Sequence, residues 1–519
     1  MRTRLAPLLL VICLLACPLF ALQPQRPTPD SASIDAYCSR VLKEWNLPGM
    51  ALVIVHNDSV VLMKGYGVRT VGKPEAVDAH TLFAIASLTK AFTTTGLGML
   101  VDQKKLSWDD RVTDLLPGFQ LWDMYATREM TVRDLLCHRS GLATFGGDLI
   151  WYGTSYAPKE VIRRIRYLKP KYSFRANYGY QNVMFLAAGE ILSSLSGRPW
   201  EDFVRDSIFL PLGMKESNTS VRALNGREDV ATPHIVYEGK PLPVPYRNVD
   251  NMAPAAAVNS SVYDLAQWLR MWLRGDSTSG IRRISPATQH EILSAHTSLP
   301  ISLRGRKMLP SRHFSAAGLG WFLMDYHGRK VQTHSGGMDG MISQIAVVPE
   351  EKLAFAILTN SVKSPAGPLA NYILDRYLAG TERDWCAEGL KAVTDGEARA
   401  KEREQRAIAA RKEDAAPSLP LKDYAGTYRS EMYGDVIVTP EKERLVVRFL
   451  PTATFVGDLT QWEYNTFQIE LRDRTLPKGL VTFIVDASGK ASEMKIDIPN
   501  PDFDFGELQL KRVGDAPTL

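Results

Sequence analysis

"IASLTKAF", residues 85–92, is the stretch on which the fold turns, because it places Ser87 three residues before Lys90. Apolar residues recur through it and beyond at Leu88, Ala91, Phe92 and Met99. That spacing predicts a helix over residues 88–103, with Ser87 at its N-terminus and Ser87 and Lys90 sharing one face. Two readings fit. Serine is a preferred N-cap, and a lysine one turn on needs no chemical role. Alternatively, the serine oxygen is a nucleophile at a helix end whose dipole favours developing negative charge, and the lysine is its base. A lysine of ordinary pKa is only about 0.04% deprotonated at pH 7. The second reading therefore needs a desolvated lysine, or one near other cations, and partners from elsewhere in the chain. The same spacing recurs at Ser492–Lys495 ("SEMK"). There a strand is expected, and residues three apart on a strand point to opposite faces.

Two other stretches offer partners. Tyr180-Gln181-Asn182 stands at the entrance of an apolar helix ended by Gly197 and Pro199. A tyrosine there can relay a proton, and the asparagine amide can orient a lysine and a carbonyl. A second Tyr-x-Asn, Tyr246 to Asn248, lies in the loop "PVPYRNVDN" and ranks behind it. Either tyrosine also reads as a core aromatic with a satisfied hydroxyl. His334-Ser335-Gly336-Gly337 precedes an apolar strand. Paired glycines let a substrate lie against the backbone, where an N–H can face an oxyanion. A histidine in a glycine-rich turn is the plainer reading.

Around these stretches "MALVIVHNDSVVLMKGYG" reads as two strands about a turn at Asn57–Asp58. "MISQIAVVP" and "LAFAILTN" read as another pair joined at "PEEK". Helices are expected over residues 33–45, 88–103, 131–137, 158–167, 182–195 and 261–273. Strands at both ends with helices between them imply an α+β fold, an antiparallel sheet flanked by helices. After Thr381 the chain turns charged and alanine-rich ("EARAKEREQRAIAARKED"), as a solvated helical linker would, until "APSLPL". Beyond it six short, partly alternating strands indicate a small antiparallel barrel or sandwich, with a core independent of the first.

Hydrophobic content of 45% suffices for a large core across 519 residues. The formal net charge is +5, of which Arg2 and Arg4 of the leader supply two, too little to imply nucleic acid. The basic run "RRIRYLKPK" reads as a solvated face. "MRTRLAPLLLVICLLACPLFALQ" has the layout of a secretory signal peptide over residues 1–21, with a lipoprotein site at Cys17 or an uncleaved anchor as alternatives. Cys38, Cys137 and Cys386 permit one bridge and a free thiol at most, and no metal or nucleotide motif occurs, so no cofactor is implied.

Taken in order, "SLTK", "YQN" and "HSG" resemble the serine β-lactamase and penicillin-binding protein superfamily, class C enzymes and their D-aminopeptidase and esterase relatives most closely. "LLCHRSGL", "SSVYDLAQWL" and "GLGWFL" are similar too. The resemblance spans residues 32–380. It leaves 381–417 as the linker and 418–519 as a domain resembling the small, lipocalin-like β-barrel that often follows such hydrolases. It implies a serine hydrolase working through an acyl-enzyme on an amide, peptide or ester; the alternative is a non-catalytic envelope binding or scaffold protein. Catalytic roles would fall to Ser87 as nucleophile, Lys90 as base and Tyr180 as proton shuttle. Substrate would be held by Asn182, His334, Gly336 and Gly337, with the N–H groups of Ser87 and Gly337 as oxyanion hole. The partner implied is a small-molecule or short-peptide substrate in a secreted or periplasmic setting, with membrane attachment through the N-terminus and a homo-oligomer left open. One position departs from the pattern: His334 stands where many relatives carry lysine. Its charge state should then govern recognition of a substrate carboxylate between pH 5.5 and 8.

Overall fold

Strand β1 (Gly49–His56) shows why the sheet reads as it does. Ala51, Val53 and Val55 enter one apolar core, while Met50, Leu52 and Ile54 enter another on the opposite face. A strand covered on both faces has no polar side to alternate with, hence the unbroken apolar run. In the computed structural model, which describes residues 29–274, 283–381 and 383–516, helix α1 (Ser31–Glu44) precedes β1, capped by the Asp30 carboxylate on the Ala32 N–H. The leader expected over residues 1–21 lies outside the described residues. β1 turns into β2 (Ser59–Gly67) through Asn57 and Asp58, both at positive φ, the two-residue hairpin turn such residues favour.

The chain then leaves the sheet for a helical region containing α2 (Thr89–Asp102), α3 (Val183–Ser196) and α4 (Val262–Arg274). It returns as β3 (Thr297–Ser298), β4 (Ser315–Ala317), β5 (Phe322–Tyr326), β6 (Arg329–Met338), β7 (Met341–Val348) and β8 (Leu353–Thr359). The eight strands form one antiparallel sheet in the order β2-β1-β8-β7-β6-β5-β4-β3, so the first hairpin pairs with the last strand, Met50 opposite Thr359. α1 and α5 (Ala366–Leu378) cover one face, and α4 covers the other with α2 and α3 behind it. α2 is buried on every side over Thr89–Gly98, and polar groups in that stretch find partners inside: Lys90 on Ser87, Thr89 on the Val258 N–H, Thr93 on the Pro254 carbonyl and Thr95 on the Ala91 carbonyl. The α+β reading holds.

α6 (Trp385–Ala410) buries Trp385 and Cys386 in the core and packs Leu390 and Val393 against it; from Glu397 onward it is solvated. Eight strands then close an antiparallel barrel: β9 (Gly426–Ser430), β10 (Gly434–Glu441), β11 (Arg444–Phe449), β12 (Val456–Glu463), β13 (Thr466–Leu471), β14 (Gly479–Val485), β15 (Ala491–Asp497) and β16 (Leu510–Gly514). β9 pairs with β16 to close it, which settles barrel against sandwich. The sequence reading found six of these strands; β9 and β12 carry threonine, aspartate and glutamine enough to pass for loop.

Two expectations fail. The barrel's core is not independent: Tyr152 packs on Phe455 and Phe503, and the apolar side chains of both domains form one continuous cluster. Arg247 ties Asp339 to the barrel's Asp473 at 2.8 Å each, all three largely buried. Tyr156 donates to the Tyr433 carbonyl at 2.6 Å. The strand parity argued for Ser492 and Lys495 also breaks, because a bulge shifts the register between Ile484 and Val485. The Ser492 hydroxyl donates to the Ile484 carbonyl instead of meeting Lys495.

Candidate active site

Ser87 does not cap α2. It lies in a short 3₁₀ turn, Ala86–Leu88, just before the helix, and no side chain caps either element. Ala86, the preceding residue, is held at φ +47°, a conformation alanine adopts only where its surroundings impose it. Those surroundings are visible. The Ile85 N–H donates to the Val258 carbonyl, and the Ile85 carbonyl accepts from the Ser343 hydroxyl of β7. Gly336 of β6 lies against the same carbonyl so closely that a Cβ there would stand 2.2 Å from it.

Lys90, on the first turn of α2, is fully buried. Its ammonium donates to Ser87 Oγ at 2.9 Å, Asn182 Oδ1 at 2.7 Å and the Ala255 carbonyl at 3.0 Å. The Tyr180 ring lies 4.9 Å away. Burial pulls its pKa down to about 7, against the opposing pull of Asp148. About half of it is then neutral at pH 7, the condition a lysine base needs. Asn182 heads α3 without capping it, because its side chain is engaged across the site. Burial raises the Tyr180 hydroxyl well above the ordinary tyrosine range, so it stays a proton donor. Its rival Tyr246 spends its hydroxyl on the Ala231 carbonyl at 2.7 Å.

His334 and Gly337 line the same cavity, of about 700 Å³, together with Ser87, Tyr180 and Asn182. β6 loses β5 as a partner after Thr333, so the edge from His334 to Met338 is open towards it. His334 is 2% exposed, and burial with Lys90 nearby drives its pKa down to about 3. It therefore stays neutral from pH 5.5 to 8, which overturns the expected switch. Nδ1 donates to the Ser335 carbonyl, leaving Nε2 as a buried acceptor without a hydrogen-bond partner among the described residues.

Several site groups escaped the sequence reading. Asp148 is buried, its pKa raised to about 7 by desolvation; it accepts from Asn182 Nδ2 at 2.6 Å and the Trp151 indole at 2.8 Å. His138 stacks on Tyr180 at 4.4 Å and is held neutral by burial, its Nδ1 accepting from the Gln181 N–H. The cavity wall is completed by barrel residues 475–477 and 499–503. In sequence, Asp148 follows two glycines and reads as a turn residue; only "LLCHRSGL" hinted at His138.

The sequence matches the family described as Beta-lactamase over residues 34–379, and the Domain of unknown function (DUF3471) over residues 410–512. It is 29% identical over 426 residues to the unguisins hydrolase ungD' of Aspergillus campestris, covering 78% of this chain and 77% of that one. Penicillin-binding protein 4 of Amycolatopsis lactamdurans is 31% identical over 345 residues, covering 61% and 82%. Among solved structures, the octameric penicillin-binding protein homologue from Pyrococcus abyssi superposes with a TM-score of 0.60 at 22% identity, covering 91% of this chain and 98% of that one. A D-stereospecific amidohydrolase from Streptomyces sp. gives 0.55 at 21% identity, covering 68% and 100%.

Proposed function

Since this chain belongs to the Beta-lactamase family and is a serine hydrolase of amide or ester bonds, we propose that Ser87 is its nucleophile and Lys90 the base that activates it. One observation carries this assignment: a fully buried lysine with a pKa near 7 stands 2.9 Å from the serine oxygen. Neutral Lys90 takes the Ser87 proton as Oγ bonds to the substrate carbonyl carbon. The resulting oxyanion faces the N–H groups of Ser87 and Gly337. Collapse breaks the bond to the leaving group, which takes a proton from Tyr180, itself resupplied by Lys90. Water then cleaves the acyl ester by the same route in reverse.

The cavity's lining favours neutral or cationic substrates. It includes Asp148, Asp502 and the Arg247-paired Asp339 and, among the described residues, no lysine or arginine lines it. A neutral His334 presents a lone pair where a carboxylate would need a cation. Small esters and amino-acid amides fit such walls better than anionic penicillins. The layout of residues 1–21 supports export to the periplasm or beyond, which N-terminal sequencing of the mature protein would test. The assignment itself is tested with a fluorophosphonate probe: wild type should be labelled at Ser87, and labelling of Ser87→Ala would sink it. Parallel rates on a nitrophenyl ester, an amino-acid anilide and a chromogenic cephalosporin would rank the substrates.

A further inference from the structure

Asn182 can serve Lys90 only with its amide one way round, oxygen towards the ammonium. Its Nδ2 is fixed by the Asp148 carboxylate, which when ionised is an acceptor only and cannot accommodate the flipped amide. Asp148 in turn opens a 3₁₀ turn behind Gly147, which sits at φ +84°. Among the described residues, nothing in the first domain holds that glycine's N–H. It donates at 2.9 Å to Glu507 of the barrel, 360 residues away, from a short turn pinned by buried Phe505 and Leu508. Glu507 is itself mostly buried, its pKa raised to about 7 by desolvation.

Resting on the assignment of Ser87 and Lys90, we propose that the barrel completes the catalytic apparatus: Glu507 and Asp148 are positioning residues that hold Asn182 in its productive orientation. The barrel thereby acquires a role in turnover beyond walling the cavity. The titratable groups around Lys90 are few. Tyr180 stands before α3, Asp148 on the glycine turn, His138 beside Tyr180 and His334 on β6, with Glu507 behind Asp148. The histidines and the tyrosine are neutral, so Asp148 is the nearest group able to place a negative charge near the lysine. Its anion raises the lysine's pKa, and removing that charge lowers it.

The test measures kcat and KM for a neutral nitrophenyl ester across pH in the full chain. Glu507→Ala should lower kcat about tenfold, the scale of one buried hydrogen bond, with KM nearly unmoved because the cavity walls remain. Glu507→Gln still accepts from Gly147 and should restore most of kcat. Asp148→Asn should move the acid limb of kcat/KM to lower pH, a shift that a merely structural residue would not produce. Equal kcat for Glu507→Ala, Glu507→Gln and wild type would overturn the proposal. If Glu507→Ala does not fold, Asp148→Asn decides alone, and an unmoved acid limb would overturn it. Failure of the underlying assignment shows separately, as probe labelling of Ser87→Ala.

Discussion

The chain contains the same four-residue pattern twice, and its two copies came to opposite ends. Ser87 and Lys90 lie on consecutive helical turns, and the lysine is enclosed by Asn182, the Ala255 carbonyl and two aromatic rings. Ser492 and Lys495 lie on β15 at the barrel surface, where Lys495 is exposed and Ser492 bonds to its neighbouring strand. Spacing alone made neither pair reactive. What separates them is desolvation: the first lysine has lost its water and gained fixed acceptors, while the second keeps its water.

The sharpest way to break this comparison is to remove each serine. Ser87→Ala should cost about 10⁴-fold or more in turnover of any accepted ester and abolish probe labelling. Next in size is Tyr180→Phe, expected to slow acylation about 100-fold by removing the proton donor; Tyr246→Phe, whose hydroxyl serves the Ala231 carbonyl, should leave acylation rates close to wild type. A pH titration sharpens the contrast further. Lys90 acts as a base when neutral, so kcat/KM should be full well above pH 7 and fall about tenfold per unit well below it, as pH drops through the lysine's pKa of about 7. A flat profile from pH 5.5 to 8 would remove the lysine from that role. His334→Lys should improve acylation by a carboxylate-bearing penicillin up to about tenfold, and equally at pH 5.5 and 8, because the native histidine is uncharged at both. An improvement confined to pH 8 would show that His334 titrates in that range after all. The smallest effect belongs to Ser492→Ala, which should change activity not at all and stability by no more than about 0.5 kcal/mol, read from thermal melts.

Much of the first domain was legible because its determinants are local. The Asn57–Asp58 turn, the doubly buried strand β1 and the apolar spacing of α2 each carry a period or a turn residue that states which faces are covered. Gly336 was readable as backbone that must approach something, although the partner, the Ile85 carbonyl, was not; at Gly337 a Cβ would meet only the Ile342 side chain, at 3.5 Å. The barrel was less legible. β9 and β12 interrupt their apolar residues with polar ones, and closure depends on β9 meeting β16, which no short window contains. The expectation of two independent cores failed for the same reason, since Tyr152 and Phe503 reveal their contact only when the domains are docked.

The sequence by itself determined the segment proposed to carry the nucleophile, the order of the three motifs and the α+β architecture, because helical spacing, strand period and turn chemistry act over a few residues. Only the tertiary structure decided the charge states on which the chemistry depends: a lysine brought down to about 7, a histidine to about 3 and an aspartate raised to about 7. Ionisation follows from how much water a fold excludes and which charges it brings near, and here burial dominates all three, with Lys90 and Asp148 each acting on the other across Asn182.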